Sequence, residues 1–238
     1  MTRKNKTKPR PRIDGAPPPP PPFRAVYDDL YRAWGPQHWW PGRTRFEIIV
    51  GAILTQNTAW TNVEKAIRRL RIERALNPKS LHRADLRTLA EWIRPAGYYN
   101  VKAKRLRAFT GMLFGRFDGK LSRLFALDTP TLRDTLLSVN GIGPETADSI
   151  ILYAAHRPRF VIDTYTRRVL VRHGWIDRRA GYDDIAEQFM RAIPEDTSLY
   201  NEFHALIVRL GKEHCRARPH CEACPLKAYL PKGGPHLR

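Results

Sequence analysis

An aspartate follows the apolar run Phe160-Val161-Ile162 and heads a helical pattern. Asp163 reads first as an N-cap, its side chain accepting a backbone N–H from the next turn. Those N–H groups and the helix dipole favour negative charge, so the carboxylate is expected to be ionised at neutral pH. At the floor of a cleft such a group can stabilise a developing cation and orient or deprotonate a water. A second candidate lies about twenty residues upstream, at Gly141-Ile142-Gly143. Its glycines allow a sharp turn, Ile142 points inward as an anchor, and Pro144 starts the next helix. Free N–H groups beside a helix N-terminus, with no Cβ in the way, suit a phosphate. A third is the set Cys215, Cys221 and Cys224, all three cysteines of the chain within ten residues. That clustering suggests a metal or cluster site in a reducing compartment, not a disulfide framework. Finally, Trp39-Trp40-Pro41 and Trp60 supply aromatic faces. Two tryptophans before a proline, in a loop, are hard to bury without partners for their indole N–H groups.

The elements that must position these groups all read as helices. Phe23 to Trp34 carries Phe23, Val26, Leu30 and Ala33 on one stripe, and Gly35-Pro36 ends it. Phe46, Ile49, Val50 and Ile53 mark a buried helix running to about Thr55. Asn57 or Thr58 is expected to cap the next one, whose Val63, Ala66, Ile67 and Leu70 face inward. Gln56 and Asn57 therefore sit in a tight interhelical turn. Two short helices follow, one around Ser80 and one from Asp85 to Ile93. Asn100 is expected to cap a helix bearing Lys102, Lys104, Arg105 and Arg107, candidates for phosphate contacts. Thr129 should cap, with Pro130 in first position, a helix turning Leu132, Leu136, Leu137 and Val139 inward. Asp183 to Ile193 and Ser198 to Glu213 complete an all-α chain.

Composition narrows the partner. The 238 residues carry a formal net charge of +19 and a pI near 10.4, which calls for a polyanion, nucleic acid being the commonest. No run of eighteen apolar residues offers a membrane span, and nothing near the start resembles a secretion signal. Residues 1–22, a basic stretch and then the proline run Pro17 to Pro22, read as a disordered tail. It can add sequence-independent phosphate contacts, act as a nuclear address, or merely solubilise the chain.

Helix, Gly-x-Gly, helix, with an apolar anchor between the glycines and an aspartate after the next apolar run, resembles the helix-hairpin-helix and Gly/Pro-Asp signature of the endonuclease III superfamily of DNA glycosylases. The resemblance covers Phe23 to about Pro231. It implies an all-α, two-lobe fold: a central six-helix lobe at about 43–160, with the hairpin at 130–155, and a second lobe from 23–42 plus 161–214. A loop over 215–231 would correspond to a degenerate iron–sulfur site.

By that resemblance Asp163 matches the catalytic aspartate of glycosidic bond cleavage, in which a carboxylate stabilises an oxocarbenium-like sugar. Gln56, in Leu54-Thr55-Gln56-Asn57-Thr58, matches the glutamine that fills the hole left by an extruded base. Asn57, Gly141, Ile142, Gly143 and Thr146 would line the DNA, and a monovalent cation at the hairpin is part of the same likeness. Tyr98-Tyr99-Asn100 and the lysines after them resemble a framework stretch near the DNA groove. Trp-Trp-Pro, with an aromatic shortly after the glutamine loop, is similar to the endonuclease III-like 3-methyladenine DNA glycosylase branch, whose aromatic rings sandwich a damaged purine. Trp39, Trp40, Pro41 and Trp60 are the matching pocket residues. Flipping costs a few kcal/mol and one aromatic stack returns roughly 1–3, so two rings suffice.

Position 145 departs from the bifunctional members, which carry there the lysine that attacks the sugar and forms a Schiff base. Glu145 cannot, so water is the expected nucleophile and an intact abasic site the product. The 3-methyladenine branch also has glutamate there. The cysteine loop departs too: its first gap is one residue short, and the fourth ligand position falls on Leu230. A four-iron cluster with His214, His220 or His236 as fourth ligand, or a zinc, is the expected, structural occupant.

The reading is a base-excision-repair glycosylase, monofunctional on alkylated purines, acting as a monomer on damaged double-stranded DNA. It would be cytoplasmic and nucleoid-associated in a bacterium, nuclear in a eukaryote. The alternatives are a bifunctional glycosylase and abasic-site lyase for oxidised pyrimidines, and a non-catalytic binder of DNA structure.

Overall fold

The computed structural model describes residues 21–39 and 42–237. The expectation for most of the tail, and those for Trp40 and Pro41, fall outside them. Among the described residues the chain is all-helical, with no strand. Twelve α-helices lie there in order: α1 (Phe23–Trp34), α2 (Arg45–Leu54), α3 (Trp60–Ile72), α4 (Pro78–Arg83), α5 (Leu86–Trp92), α6 (Tyr99–Phe117), α7 (Leu121–Leu124), α8 (Thr129–Leu137), α9 (Pro144–Ser149), α10 (Thr164–Arg172), α11 (Tyr182–Ala192) and α12 (Thr197–Glu213).

Short polar side chains start many of these helices by taking up otherwise orphaned N–H groups. Thr44, Asn77, Asp85, Asp128, Asp163 and Asp196 each accept from a backbone N–H within the first turn. Three expected caps are corrected. Asp128, not Thr129, caps α8, because the longer carboxylate reaches both Thr131 N–H and its hydroxyl. Ala59 precedes α3 with no side-chain cap, so Asn57 and Thr58 are turn residues. Asn100 lies inside α6, which Tyr98 precedes in a left-handed conformation.

Helix α2 is buried on nearly every side. Its one buried charge, Glu47, accepts from Arg71 on α3, so the pair enters the interior neutralised. Around α2 pack α3, α6 and the end of α9. On the other side α12 packs on α10 and α1, and α1 also touches α11. One continuous apolar core joins both groups. Phe160, Phe189 and Phe203 stack and edge together at its centre. Close approach of α10 to α12 depends on Gly211, where a Cβ would run into the Tyr165 ring.

Past Ser149, helix α9 widens into a π turn, Ile150–Ala154, closed by Ala155 N–H to Ile150 O at 3.0 Å. Such insertions re-aim side chains, and Tyr153 lies within this one.

Lys102 is corrected as a phosphate contact. It is 1% exposed, and its ammonium donates to Leu54 O, Thr58 Oγ1 and Ala96 O at 2.6–2.9 Å. The lysine is a tie between the end of α2, the Gln56 turn and the start of α6.

Candidate active site

Asp163 is placed by both its neighbours in sequence. Upstream, the buried run Phe160-Val161-Ile162 anchors the chain, and Ile162 N–H donates to the Tyr182 hydroxyl at 3.3 Å. Downstream, Oδ1 accepts from Thr166 N–H at 2.7 Å as the cap of α10. The other oxygen lies 3.8 Å from His204 Nε2 on α12. The carboxylate, 12% exposed, is thus seated in the protein with one edge toward a cavity.

That cavity, about 370 Å³, is lined by Trp39, Trp60, Gln56, Glu145, Asp163 and His204, among others. It falls in the roughly 300–1,000 Å³ range of small-ligand sites. Trp60 enters at the start of α3, its indole donating to Glu64 Oε1 at 3.1 Å. Lys212, also in the wall, sets its ammonium 5.5 Å from the Trp39 ring. Apolar faces and a few convergent polar groups are what recognition of a flat heterocycle requires.

Glu145 stands at the mouth of this cavity, solvent-accessible yet surrounded by protein on most sides. Burial first, and the nearby Asp163 carboxylate second, push its pKa up to about 7. His204 is pushed the other way by burial, against the pull of Asp163, so its ring is neutral near pH 7.

The hairpin folds as its glycines dictate. Gly141 takes φ +86°, a value that disfavours side chains, and a Cβ there would strike Arg105. Ile142 is 5% exposed, the inward anchor that the sequence suggests. Gln56 and Asn57 meet the hairpin in a second, open groove of about 830 Å³, which also holds Arg105 and runs to Asp163. Gln56 is tied down in it. Its Nε2 donates to Gly141 O at 3.0 Å and Thr146 Oγ1 at 2.8 Å, while its Oε1 accepts from Arg105. Thr146 is buried, its hydroxyl spent on Gln56.

Two residues escaped the sequence reading as site members. His204 and Tyr153 look in sequence like core positions of apolar helices. Tyr98, in the stretch that the sequence marks as framework near the DNA groove, sits on the turn that Thr58 grips through Ala96 O at 2.5 Å. It is 71% exposed with φ +45°, an unfavourable backbone for an aromatic residue and a signal legible only in three dimensions.

The cysteines do converge, lining one small cavity of about 10 Å³ with Leu230 and Pro235. They do not fit the four-ligand site expected of them. Cys215 Sγ faces the Arg172 guanidinium at 3.3 Å, Leu230 brings no donor, and His214 Nδ1 lies against the His220 carbonyl at 3.2 Å. Among the described residues no three His, Cys, Asp or Glu side chains are set to hold a metal ion. Arg172 instead fastens the loop, donating also to Arg216 O at 2.5 Å and Ala217 O at 3.0 Å.

Residues 50–195 match the family model described as HhH-GPD superfamily base excision DNA repair protein. The chain belongs to the HhH-GPD superfamily. Membership makes it a DNA glycosylase. A Methanocaldococcus jannaschii protein described as a DNA repair glycosylase is 47% identical over 206 residues, 86% of this chain and 93% of the relative. The fold is similar to that of endonuclease III in a non-covalent DNA complex, at TM-score 0.76 and 25% identity over 89% of this chain and 94% of that one. It is also similar to H. pylori 3-methyladenine DNA glycosylase bound to 1,N6-ethenoadenine, at TM-score 0.69 and 30% identity over 80% and 95%. No helix among the described residues is long and apolar enough to cross a membrane.

Proposed function

We propose that this glycosylase flips an alkylated purine out of double-stranded DNA and hydrolyses its N-glycosidic bond without cutting the strand. The observation that carries the reading is the cavity that Trp39 and Trp60 line together with Asp163, with Glu145 in place of a lyase lysine. Glu145 lacks an amine, so no Schiff base can form at that position. Water supplies the new bond to C1′ while the C1′–N electrons leave with the base. Asp163 stabilises the oxocarbenium-like sugar and takes up the proton from water. A purine alkylated at N3 or N7 is already cationic, so it departs neutral. The aromatic walls favour such a cation over a neutral base. The H. pylori relative, bound to a modified adenine, supports the same substrate class.

In this reading the hairpin N–H groups hold a phosphate beside the flipped nucleotide, and Gln56 is the wedge. It must first exchange its bonds to Arg105, Gly141 and Thr146 for contacts in the duplex. The cleft lies between a lobe of α2 to α9 and a second lobe of α1 with α10 to α12, and the enzyme works as a monomer.

A bifunctional reading keeps one foothold, since Lys212 brings an amine into the cavity wall. Duplexes carrying alkylated purines, and separately oxidised pyrimidines, decide between the two. Base release from the alkylated purine with no break before alkali is the expected result. Borohydride-trapped covalent complex, lost in Lys212→Gln, would replace this mechanism with a lyase. Asp163→Asn should lower base release by at least about 100-fold while duplex binding persists.

A further inference from the structure

His204 carries a buried nitrogen that the fold leaves unmatched. The residue is 5% exposed, and Nε2 has no hydrogen-bond partner. That nitrogen faces the cavity and Asp163 Oδ2, 3.8 Å away. Nδ1 is held by the Tyr153 hydroxyl at 2.5 Å. Buried polar atoms without partners are rare enough to require a reason.

Hydrogen-bond chemistry assigns the protons. The Asp163 carboxylate facing Nε2 favours the tautomer that carries its hydrogen on that nitrogen. The single hydroxyl proton of Tyr153 is then directed to His204 Nδ1, which must accept. A neutral imidazole with Nδ1 accepting carries its hydrogen on Nε2. So the N–H lies toward Asp163, about half an ångström beyond hydrogen-bonding reach.

We propose that Tyr153 and His204 form a relay that positions the Asp163 carboxylate, with His204 as a positioning residue for base release. The relay rests on the reading of Asp163 as the catalytic carboxylate. Thr166 N–H already fixes Oδ1. A small closure lets His204 Nε2–H take Oδ2, so that both oxygens are held and the plane of the carboxylate is set against the sugar. The π turn gives the arrangement its geometry, since it carries Tyr153 into α12 at the height of His204.

The test uses single-turnover base release and, separately, affinity for a duplex containing a tetrahydrofuran abasic analogue. His204→Ala should slow release by about tenfold or more and change affinity less than about twofold, the pattern of a contact made in the transition state. Tyr153→Phe should slow release by about threefold to tenfold, because the tautomer is no longer imposed. His204→Gln, whose Nε2 donates from nearly the same place, should recover most of the rate. Wild-type rates in His204→Ala, beside an inactive Asp163→Asn, would overturn the relay and leave Asp163 standing. Equal losses in the Ala and Gln variants, with affinity falling in step, would reduce His204 to packing. Activity in Asp163→Asn would overturn the catalytic reading itself.

Discussion

At position 145 one side chain separates two chemistries. A lysine there supplies an amine nucleophile, whereas a glutamate supplies none. Glu145→Lys should therefore create a borohydride-trappable complex and strand breaks on the same substrate, measured on denaturing gels before alkali. Absence of any trapped species would show that the cleft does not bring position 145 to the sugar. The raised pKa of Glu145 has a second consequence. Its folded-state value near 7 lies above the ordinary 4.5, so the folded protein binds the extra proton between those values. Stability from this group is full below about pH 4.5 and is lost as pH rises through about 7. Glu145→Gln should raise the melting temperature at pH 8 and leave it unchanged at pH 4.5. Because the side chain is solvent-accessible, screening limits the gain to about 1–2 kcal/mol. A melting curve equally shifted at both pH values would refute the coupling.

Helices reach the site through a buried ionic knot. Asp148, on α9 and fully buried, accepts from Arg133 of α8 at 2.7 Å and from Arg159 at 3.2 Å. Both arginines also reach Asp183 of α11. The knot joins the two helices of the hairpin to the strap that leads to Asp163 and to the helix behind it. Replacing one member of such a set leaves the others uncompensated. Asp148→Ala should cost about 3 kcal/mol in chemical unfolding, the lower end for a broken buried pair because Asp183 remains. A loss under about 1 kcal/mol would mean that the arginines find other partners. The cysteine loop shows the same logic, with one guanidinium tying down a segment where a cluster was expected. Arg172→Ala should expose residues 215–231 to limited proteolysis, and an unchanged digestion pattern would count against that role.

Over the whole molecule the +19 charge sets how the enzyme meets DNA. Binding should weaken steeply with salt, by a slope of roughly 0.9 per phosphate neutralised. Arg3, Lys4, Lys6, Lys8, Arg10 and Arg12 precede in sequence the helix that starts at Phe23. Removing residues 1–22 should flatten the plot of log affinity against log salt, with base release at low salt retained. An unchanged slope would deny the tail a place on the duplex.

Much of this protein could be read from the chain alone. The helix stripes follow from the 3.6-residue repeat, the hairpin from Gly141 and Gly143, and the cap at Asp163 from a polar residue before a helical pattern, all local rules. The family follows because those local features recur at fixed spacing. Side chains meeting from distant segments were illegible for the same reason, since spacing says nothing about which helix faces which. Lys102 read as one basic residue in a run, and only the packing of α2, α3 and α6 turned it inward. The caps of α3, α6 and α8 went to neighbours because several polar residues compete within a few positions, and backbone geometry chooses among them. Tyr153 and His204 are 51 residues apart and looked like core. Folding brought the Tyr153 hydroxyl to His204 Nδ1, because a buried donor and acceptor must be matched in space, not in sequence.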